Sequence, residues 1–234
     1  MLLALALAAG LNVSPVQIWL SPDSSKTLLT LRNDGDAEAR YQISVNTWDE
    51  DQGGMKLGAT EAIVFFPTLL QLKPGETKNV RVGSAAPFGP VERTYRLFVE
   101  ELPSAPRAGG KSEVRVLTRV GIPIFVAPVR ALEERKLSPV SVDKAGASIE
   151  VENTGNLHFR VDSVKLEGYA QGGAKLFERA VQGWYVLAGG HKRYQVEVPR
   201  AECARVRKLV VSVKTEKDEI LKQPLETPSG ACGT

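Results

Sequence analysis

Apolar and polar residues alternate along most of the chain, and no long stretch keeps a 3.6-residue apolar repeat, so the pattern predicts strands. In KTLLTLRNDGDAEARYQISVNTWDE, one strand runs to Arg32, the turn Asn33-Asp34-Gly35-Asp36 follows, and a second strand passes through Tyr41, Ile43 and Val45. This reads as a strand pair joined by turn chemistry. AIVFFPTLLQLKPGETKNVRVG repeats the scheme around Lys73-Pro74-Gly75-Glu76, where proline sets φ and glycine accepts the positive φ that follows it in a type II turn. Short strands continue to Val126, after which APVRALEERKLSP breaks the alternation with two prolines and a charge run and reads as a connector. A second set of strands follows. ASIEVENTGNLHFRVDSVKL has a strand, the turn Asn153-Thr154-Gly155-Asn156 and another strand, and GWYVLAGGHKRYQVEV pairs two more across Ala188-Gly189-Gly190. Short strands with turn signals at this spacing predict a β-sandwich in each half, and the Asn-x-Gly turns at 33–35 and 153–155 suggest that the halves are built alike.

One strand is out of proportion. From Val114 to Val126 the even positions carry Val114, Val116, Val120, Ile122, Ile124 and Val126, interrupted only by Thr118. Alternation over about thirteen residues spans ~43 Å, against about five or six residues for an ordinary strand. Two readings stand side by side. A strand that outruns its sheet offers backbone groups and alternate apolar side chains to another chain by strand addition; a strand bent into both sheets is buried on its even face throughout. Periodicity does not say what covers the face.

With 234 residues, 43% of them hydrophobic and 24% charged, the chain is globular and long enough for two ordinary cores. The net charge is only +3 with basic and acidic residues interspersed, which argues against a nucleic-acid surface. The opening MLLALALAAG, with Ala6-Leu7-Ala8 as an A-x-A pattern, reads as the end of a secretory signal over residues 1–9; an apolar first strand is the alternative. It is too short to span a bilayer. Export would place the protein in an oxidising compartment, where Cys203 and Cys232 could pair. Their spacing does not fix the geometry, and two free thiols stay open.

Catalytic chemistry is hard to find. The two histidines, His158 and His191, form no H-E-x-x-H zinc motif, and G-x-S-x-G, G-x-x-x-x-G-K and G-x-G-x-x-G are all missing. Glu100-Glu101 and Glu133-Glu134 are adjacent pairs, and neighbours in a strand point to opposite faces, so neither can flank one substrate. No metal, cofactor or enzyme activity is expected.

The succession LRNDGDAEARYQISVNTW, FFPTLLQLKPGETKNVRV, RTYRLFVEELP and TRVGIPIFVAP, then VENTGNLHFRV and GWYVLAGGHKRYQVEV, resembles the periplasmic pilus-assembly chaperones of the chaperone–usher pathway. The G-I-P-I-F-V form and the arginine-rich strand before it are most similar to the archaic, spore-coat-U-type branch. The resemblance runs from Leu11 to about Val213. It implies an all-β protein with two immunoglobulin-like domains in a boomerang, an N-terminal domain at 10–128, a linker at 129–137 and a C-terminal domain at 138–234. It further implies a periplasmic, non-enzymatic protein that caps pilin-like subunits by donor-strand complementation and delivers them to an outer-membrane usher. The reading from another class is a two-domain adhesion or surface-binding module on the same fold.

Carried over by the terminal proline, the resemblance makes Val114, Val116 and Thr118 the principal donor positions, with Val120 continuing the face. Thr118 departs from the large apolar pattern. The P-pilus and type 1 members hold the subunit's C-terminal carboxylate with an arginine on the first strand and a lysine on the donor strand; the matching residues are Gln17 and Pro123, neither charged. The nearest basic candidates are Arg93, Arg96 and Arg119, each able to hold a carboxylate by charge-assisted hydrogen bonds. Arg93 and Arg96 lie three apart and therefore face opposite ways. Without a subunit, the donor edge is also a candidate for self-association.

Overall fold

A computed structural model describes residues 10–51, 54–103, 116–143 and 146–226. These fall into two compact units, one ending at Val129 and the other beginning at Arg130. The first contains β1 (Leu11–Ser14), β2 (Ile18–Leu20), β3 (Lys26–Asn33), β4 (Ala39–Asp51), β5 (Gly54–Ala59), β6 (Ile63–Phe66), β7 (Leu69–Leu72), β8 (Thr77–Ser84), β9 (Arg93–Leu102) and β10 (Arg119–Val126). One sheet runs β1-β3-β8-β6; the other runs β2-β10-β9-β4-β5, with β7 also on β4. Alternate residues of each strand meet between them. Leu29 and Leu31 of β3, Val80 and Val82 of β8, Ile43 of β4, Leu97 and Val99 of β9, and Ile122, Ile124 and Val126 of β10 form one buried cluster. Each fully buried aliphatic side chain contributes about 1.5–3 kcal/mol.

The second unit contains β11 (Arg135–Leu137), β12 (Ser141–Asp143), β13 (Gly146–Asn153), β14 (Phe159–Ala170), β15 (Lys175–Gln182), β16 (Tyr185–Val186), β17 (His191–Val196), β18 (Val206–Thr215) and β19 (Ile220–Glu226), with one short helix, α1 (Arg200–Cys203). Its sheets are β11-β13-β12, with β17 on β13, and β15-β14-β18-β19, with β16 on β14. Between them lies a second core that includes Ile149, Val151, Val161, Val164, Leu166, Leu209, Val211 and Val213.

Three expectations change. First, the strands flanking the Asn33, Lys73, Asn153 and Ala188 turns are not hairpin pairs. β3 and β4 belong to different sheets, as do β7 and β8, β13 and β14, and β16 and β17. The turns are corners that carry the chain across a gap of about 10 Å between sheets; alternation marks strands but does not say which sheet each joins. Second, the segment 129–137 is no bare connector. β11 pairs with β13, and the Asn156 side chain accepts from the Leu132 amide at 2.7 Å and donates to the Arg130 carbonyl at 2.8 Å. Its charges are used within the unit: Arg135 bonds Glu133 at 3.1 Å and Glu219 at 2.8 Å and stacks on Phe159. Third, β10 is eight residues long and starts at Arg119; residues 116–118 lie outside any strand.

Candidate functional site

The parity of β9 divides its side chains. Tyr95, Leu97 and Val99 enter the core, which leaves Thr94, Arg96, Phe98 and Glu100 on the opposite face of the sheet. On β10 the same division sends Ile122, Ile124 and Val126 inward and Arg119, Gly121, Pro123 and Phe125 outward; on β2 it sends Ile18 and Leu20 inward and Trp19 outward. The outer face is aromatic and cationic. The Arg96 guanidinium lies 3.9 Å over the Trp48 ring, Trp48 sits 5.9 Å from Phe125, and Phe125 sits 4.9 Å from Trp19. Arg96 and Trp48 are buried, whereas Trp19 is 51% exposed. The Thr94 hydroxyl donates to the Trp48 carbonyl, tying β4 to β9 beside the stack.

Register assigns the three candidate arginines different environments. Pro123 of β10 is directly opposite Arg96 of β9. β2 runs parallel to β10 with Ile18 beside Ile124 and Trp19 beside Phe125, so Gln17, one residue before β2, falls beside Pro123. The two uncharged positions and Arg96 thus form one row, Gln17-Pro123-Arg96, across three strands. Arg119 is paired with Glu100 at 2.6 Å and lies 4.1 Å over Phe98. Gly121 makes room for that stack: a Cβ there would stand 3.1 Å from the Phe98 ring. Arg93 donates to the Pro87 carbonyl at 2.6 Å and to the Ala86 carbonyl at 3.5 Å. As parity requires, it projects away from Arg96. On the core side, burial raises the Tyr95 and Tyr41 phenols above the ordinary tyrosine value, with Glu101 raising Tyr41 further.

Of the donor candidates, Val120 lies in β10, and Thr118 and Val116 precede it. Val120 packs partly against the core, Thr118 is half-buried, and Val116 is 87% exposed. Val114 lies outside the described residues. Thr118 still follows β9: the Glu101 amide donates to its carbonyl at 2.8 Å, and its own amide donates to the Glu101 carboxylate at 3.2 Å. Glu100 and Glu101 point to opposite faces, toward Arg119 and Thr118. Among the described residues, β2 covers β10 only at Ile124–Val126, so the edge from Arg119 to Pro123 has β9 on one side and no strand on the other. The even face is therefore divided between core burial from Ile122 onward and exposure at Val116.

Cys203 is buried at the end of α1, while Cys232 lies outside the described residues. His158 is buried with its ring 5.6 Å from that of Tyr185, within the second unit. Sequence reading missed Trp19, Trp48 and Phe125 as the support beneath Arg96. The available signal was parity, since each is on the opposite face from the aliphatic residues beside it.

Comparison with known proteins bears on this arrangement. A search of curated proteins found no match. Among solved structures, the chain is similar to a CsuC–CsuE chaperone–tip adhesion subunit pre-assembly complex from the archaic chaperone–usher Csu pili of Acinetobacter baumannii, with 18% identity, coverage of 92% of this chain and 98% of the other, and a TM-score of 0.63. It is similar to the YadV chaperone at 13% identity, 93% and 100% coverage and a TM-score of 0.64. A Salmonella enterica SafA pilin in complex with the SafB chaperone gives 14% identity, 93% and 96% coverage and a TM-score of 0.56. At these identities the likeness is one of fold, that of two-domain immunoglobulin-like chaperones. The family profile goes further: it matches residues 10–131, more than half the chain, including every strand of the first unit and the Arg96 row. The adhesion-module reading has no such match, and the chain belongs to the pili and flagellar-assembly chaperones with a PapD N-terminal domain.

Proposed function

We propose that this protein works in the periplasm, capping pilin-like subunits by donor-strand complementation and passing them to an outer-membrane usher, without catalysis or a cofactor. The observation that carries the reading is the division of the β10 face. Ile122, Ile124 and Val126 complete the protein's own core, while Val116 on the same alternation is 87% exposed before an edge that, among the described residues, has no second strand paired to it from Arg119 to Pro123. A subunit with an unfinished sandwich gains strand pairing along that edge and receives Val116, Thr118 and Val120, with Val114 before them, in its open groove. Each large side chain so buried adds about 1.5–3 kcal/mol. Thr118 fills its pocket less well and weakens the centre of the donor set.

Arg96 is the proposed anchor for the subunit's terminal carboxylate. It shares a row with Gln17 and Pro123, whereas Arg119 is neutralised by Glu100 and Arg93 is turned to backbone carbonyls. Trp48 lies beneath the guanidinium at 3.9 Å and holds it at that row. The test is periplasmic co-expression with the neighbouring pilin-like subunit. Wild type is expected to give a soluble one-to-one complex, and Val116→Arg to abolish it while remaining folded by circular dichroism. A subunit equally soluble without the chaperone, or unaffected by the substitution, overturns the reading.

A further inference from the structure

The sheet β1-β3-β8-β6 has an outer face that neither the donor edge nor the Arg96 row uses. Leu29 and Leu31 of β3, Val80 and Val82 of β8 and Ile63 of β6 enter the core, so the residues alternating with them point out. Toward one end this face is polar, as a solvated sheet surface should be: Thr30 lies opposite Asn79, and its hydroxyl donates to the Asn79 side-chain oxygen at 2.9 Å. Toward the other end it turns apolar. Register gives two rows across the three strands, Leu28-Arg81-Phe66 and Lys26-Gly83-Val64. Phe66 is 70% exposed, Val64 55% and Leu28 50%, and these rows line a cavity of about 410 Å³. The core does not require apolar residues there. Gly83 forms the floor: a Cβ at this position would stand 3.2 Å from Lys26 Cγ and from the Ser25 carbonyl oxygen, and 3.8 Å from Val64 Cγ2, so a side chain would fill the hollow. Among the described residues, the side chains of Lys26 and Arg81 have no ion-pair or hydrogen-bond partner, and Arg81 stands directly between two exposed apolar side chains.

We propose that this hollow binds a single-chain amphipathic carboxylate, the chemistry of a free fatty acid. Its volume falls in the range of small-ligand sites, ~300–1,000 Å³, and an exposed apolar patch with a polar rim is the mark of a binding groove. The acyl chain occupies the space above Gly83, against Leu28, Val64 and Phe66. The carboxylate meets the unpaired Arg81 guanidinium in a charge-assisted hydrogen bond, with Lys26 supplying a second positive charge. Charge complementarity decides the class of ligand: a cationic amphiphile is repelled by both side chains, and a neutral one loses the head-group contact. The hollow and the donor edge belong to different sheets, so this site is independent of the capping function proposed above.

The test is calorimetric titration of the full chain with dodecanoate below its micelle concentration, with dodecanol and dodecyltrimethylammonium as neutral and cationic twins. Dodecanoate is expected to bind one to one, dodecanol about tenfold more weakly for want of the charge-assisted bond, and the cation not detectably. Arg81→Gln is expected to weaken dodecanoate roughly tenfold, to the level of dodecanol, and to leave dodecanol unchanged. Phe66→Ser is expected to weaken both. Each replaced side chain is exposed, so the fold is expected to survive, which circular dichroism checks; if Phe66→Ser unfolds, Leu28→Ser takes its place. Absence of dodecanoate binding overturns the proposal. Equal affinity for dodecanoate and dodecanol overturns it as well, because the cations then recognise nothing, and so does binding that neither substitution changes, because the ligand then sits elsewhere. Sedimentation with phosphatidylglycerol vesicles separates the other source of an acyl chain beside an anion: capture by vesicles without binding of dodecanoate assigns the face to a lipid surface and overturns the fatty-acid site.

Discussion

Arg96, Arg93 and Arg119 are the same side chain in three settings, and the settings decide their roles. Arg119 has a carboxylate partner at 2.6 Å on an exposed surface, a pair worth roughly 0–1 kcal/mol. Arg93 serves a loop by donating to two carbonyls. Arg96 is buried on Trp48 at the row where the P-pilus and type 1 branch would have its cations. Arg96→Ala is therefore expected to reduce subunit capture at least tenfold, reflecting loss of a charge-assisted hydrogen bond of about 1.5–3 kcal/mol. Arg96→Lys is expected to restore only part of it, because an ammonium neither stacks flat on indole nor forks onto a carboxylate. Arg119→Ala is expected to change capture less than twofold, all three measured by titration with purified subunit. From sequence, the three arginines could be gathered as a group, and the three-residue spacing separated Arg93 from Arg96. Choosing among them needed the register of β9 on β10 and the identity of the ring beneath, which follow from strand pairing and not from spacing.

At the level of elements, the corners show how the two units were built. Asn33 ends β3, and its side-chain amide donates to the Ala37 and Leu72 carbonyls at 2.7 and 2.9 Å while its oxygen accepts from the Gly35 amide at 3.0 Å. Asn153 ends β13 and does the same with the Leu157 and Val186 carbonyls, at 2.9 and 3.0 Å, and with the Gly155 amide at 3.0 Å. Leu72 and Val186 are the last residues of β7 and β16. Each asparagine thus ties two corners of its sandwich together, and both are buried. Asn33→Ala and Asn153→Ala each leave buried carbonyls without a donor, and urea denaturation is expected to show about 1–3 kcal/mol lost for each. Asp in place of Asn supplies no amide donor and is expected to be no better. The turn residues were legible from sequence because Asn-x-Gly has a local signature. The corner function was not, because the second partner is 39 residues away in one unit and 33 in the other. The segment 129–137 shows the same limit, since a charge run looks the same whether it is solvated or pinned. Glu133 is held below the usual carboxylate range chiefly by the Lys217 hydrogen bond, with Arg135 assisting. A depressed folded pKa adds stability above the unfolded value, about 4.3, and loses it as pH falls through the folded value. Because Glu133 is largely solvent-exposed, the effect is held to under about 1 kcal/mol. Glu133→Gln is expected to make the acid side of the stability profile shallower between roughly pH 5 and pH 3.

For the whole molecule, the alternation that drew attention to β10 serves two cores on the proposed function, and this is why the strand read as longer than it is. Ile122, Ile124 and Val126 finish the chaperone's own sandwich; on the proposed function, Val114, Val116 and Thr118 continue the sequence alternation for another chain to use. A pattern of period two is identical in both cases; only burial separates them, and the boundary falls at Val120, half in and half out. An edge kept apolar for a subunit is equally open to a second copy of the protein, since backbone pairing does not discriminate. On the proposed function, subunit and second copy compete for one edge, and mass action decides between them. The subunit-free protein is expected to self-associate as its concentration rises, and light scattering with size-exclusion chromatography measures this directly. Addition of an equimolar subunit is expected to return it to a one-to-one complex, and Val116→Arg, which places a charge on the exposed apolar position, to keep it monomeric at every concentration. If Val116→Arg abolishes subunit capture but leaves self-association intact, the second copy binds elsewhere and the competition does not exist. If self-association disappears and capture persists, the donor edge serves the chaperone itself and not its cargo, which would reverse the assignment of β10.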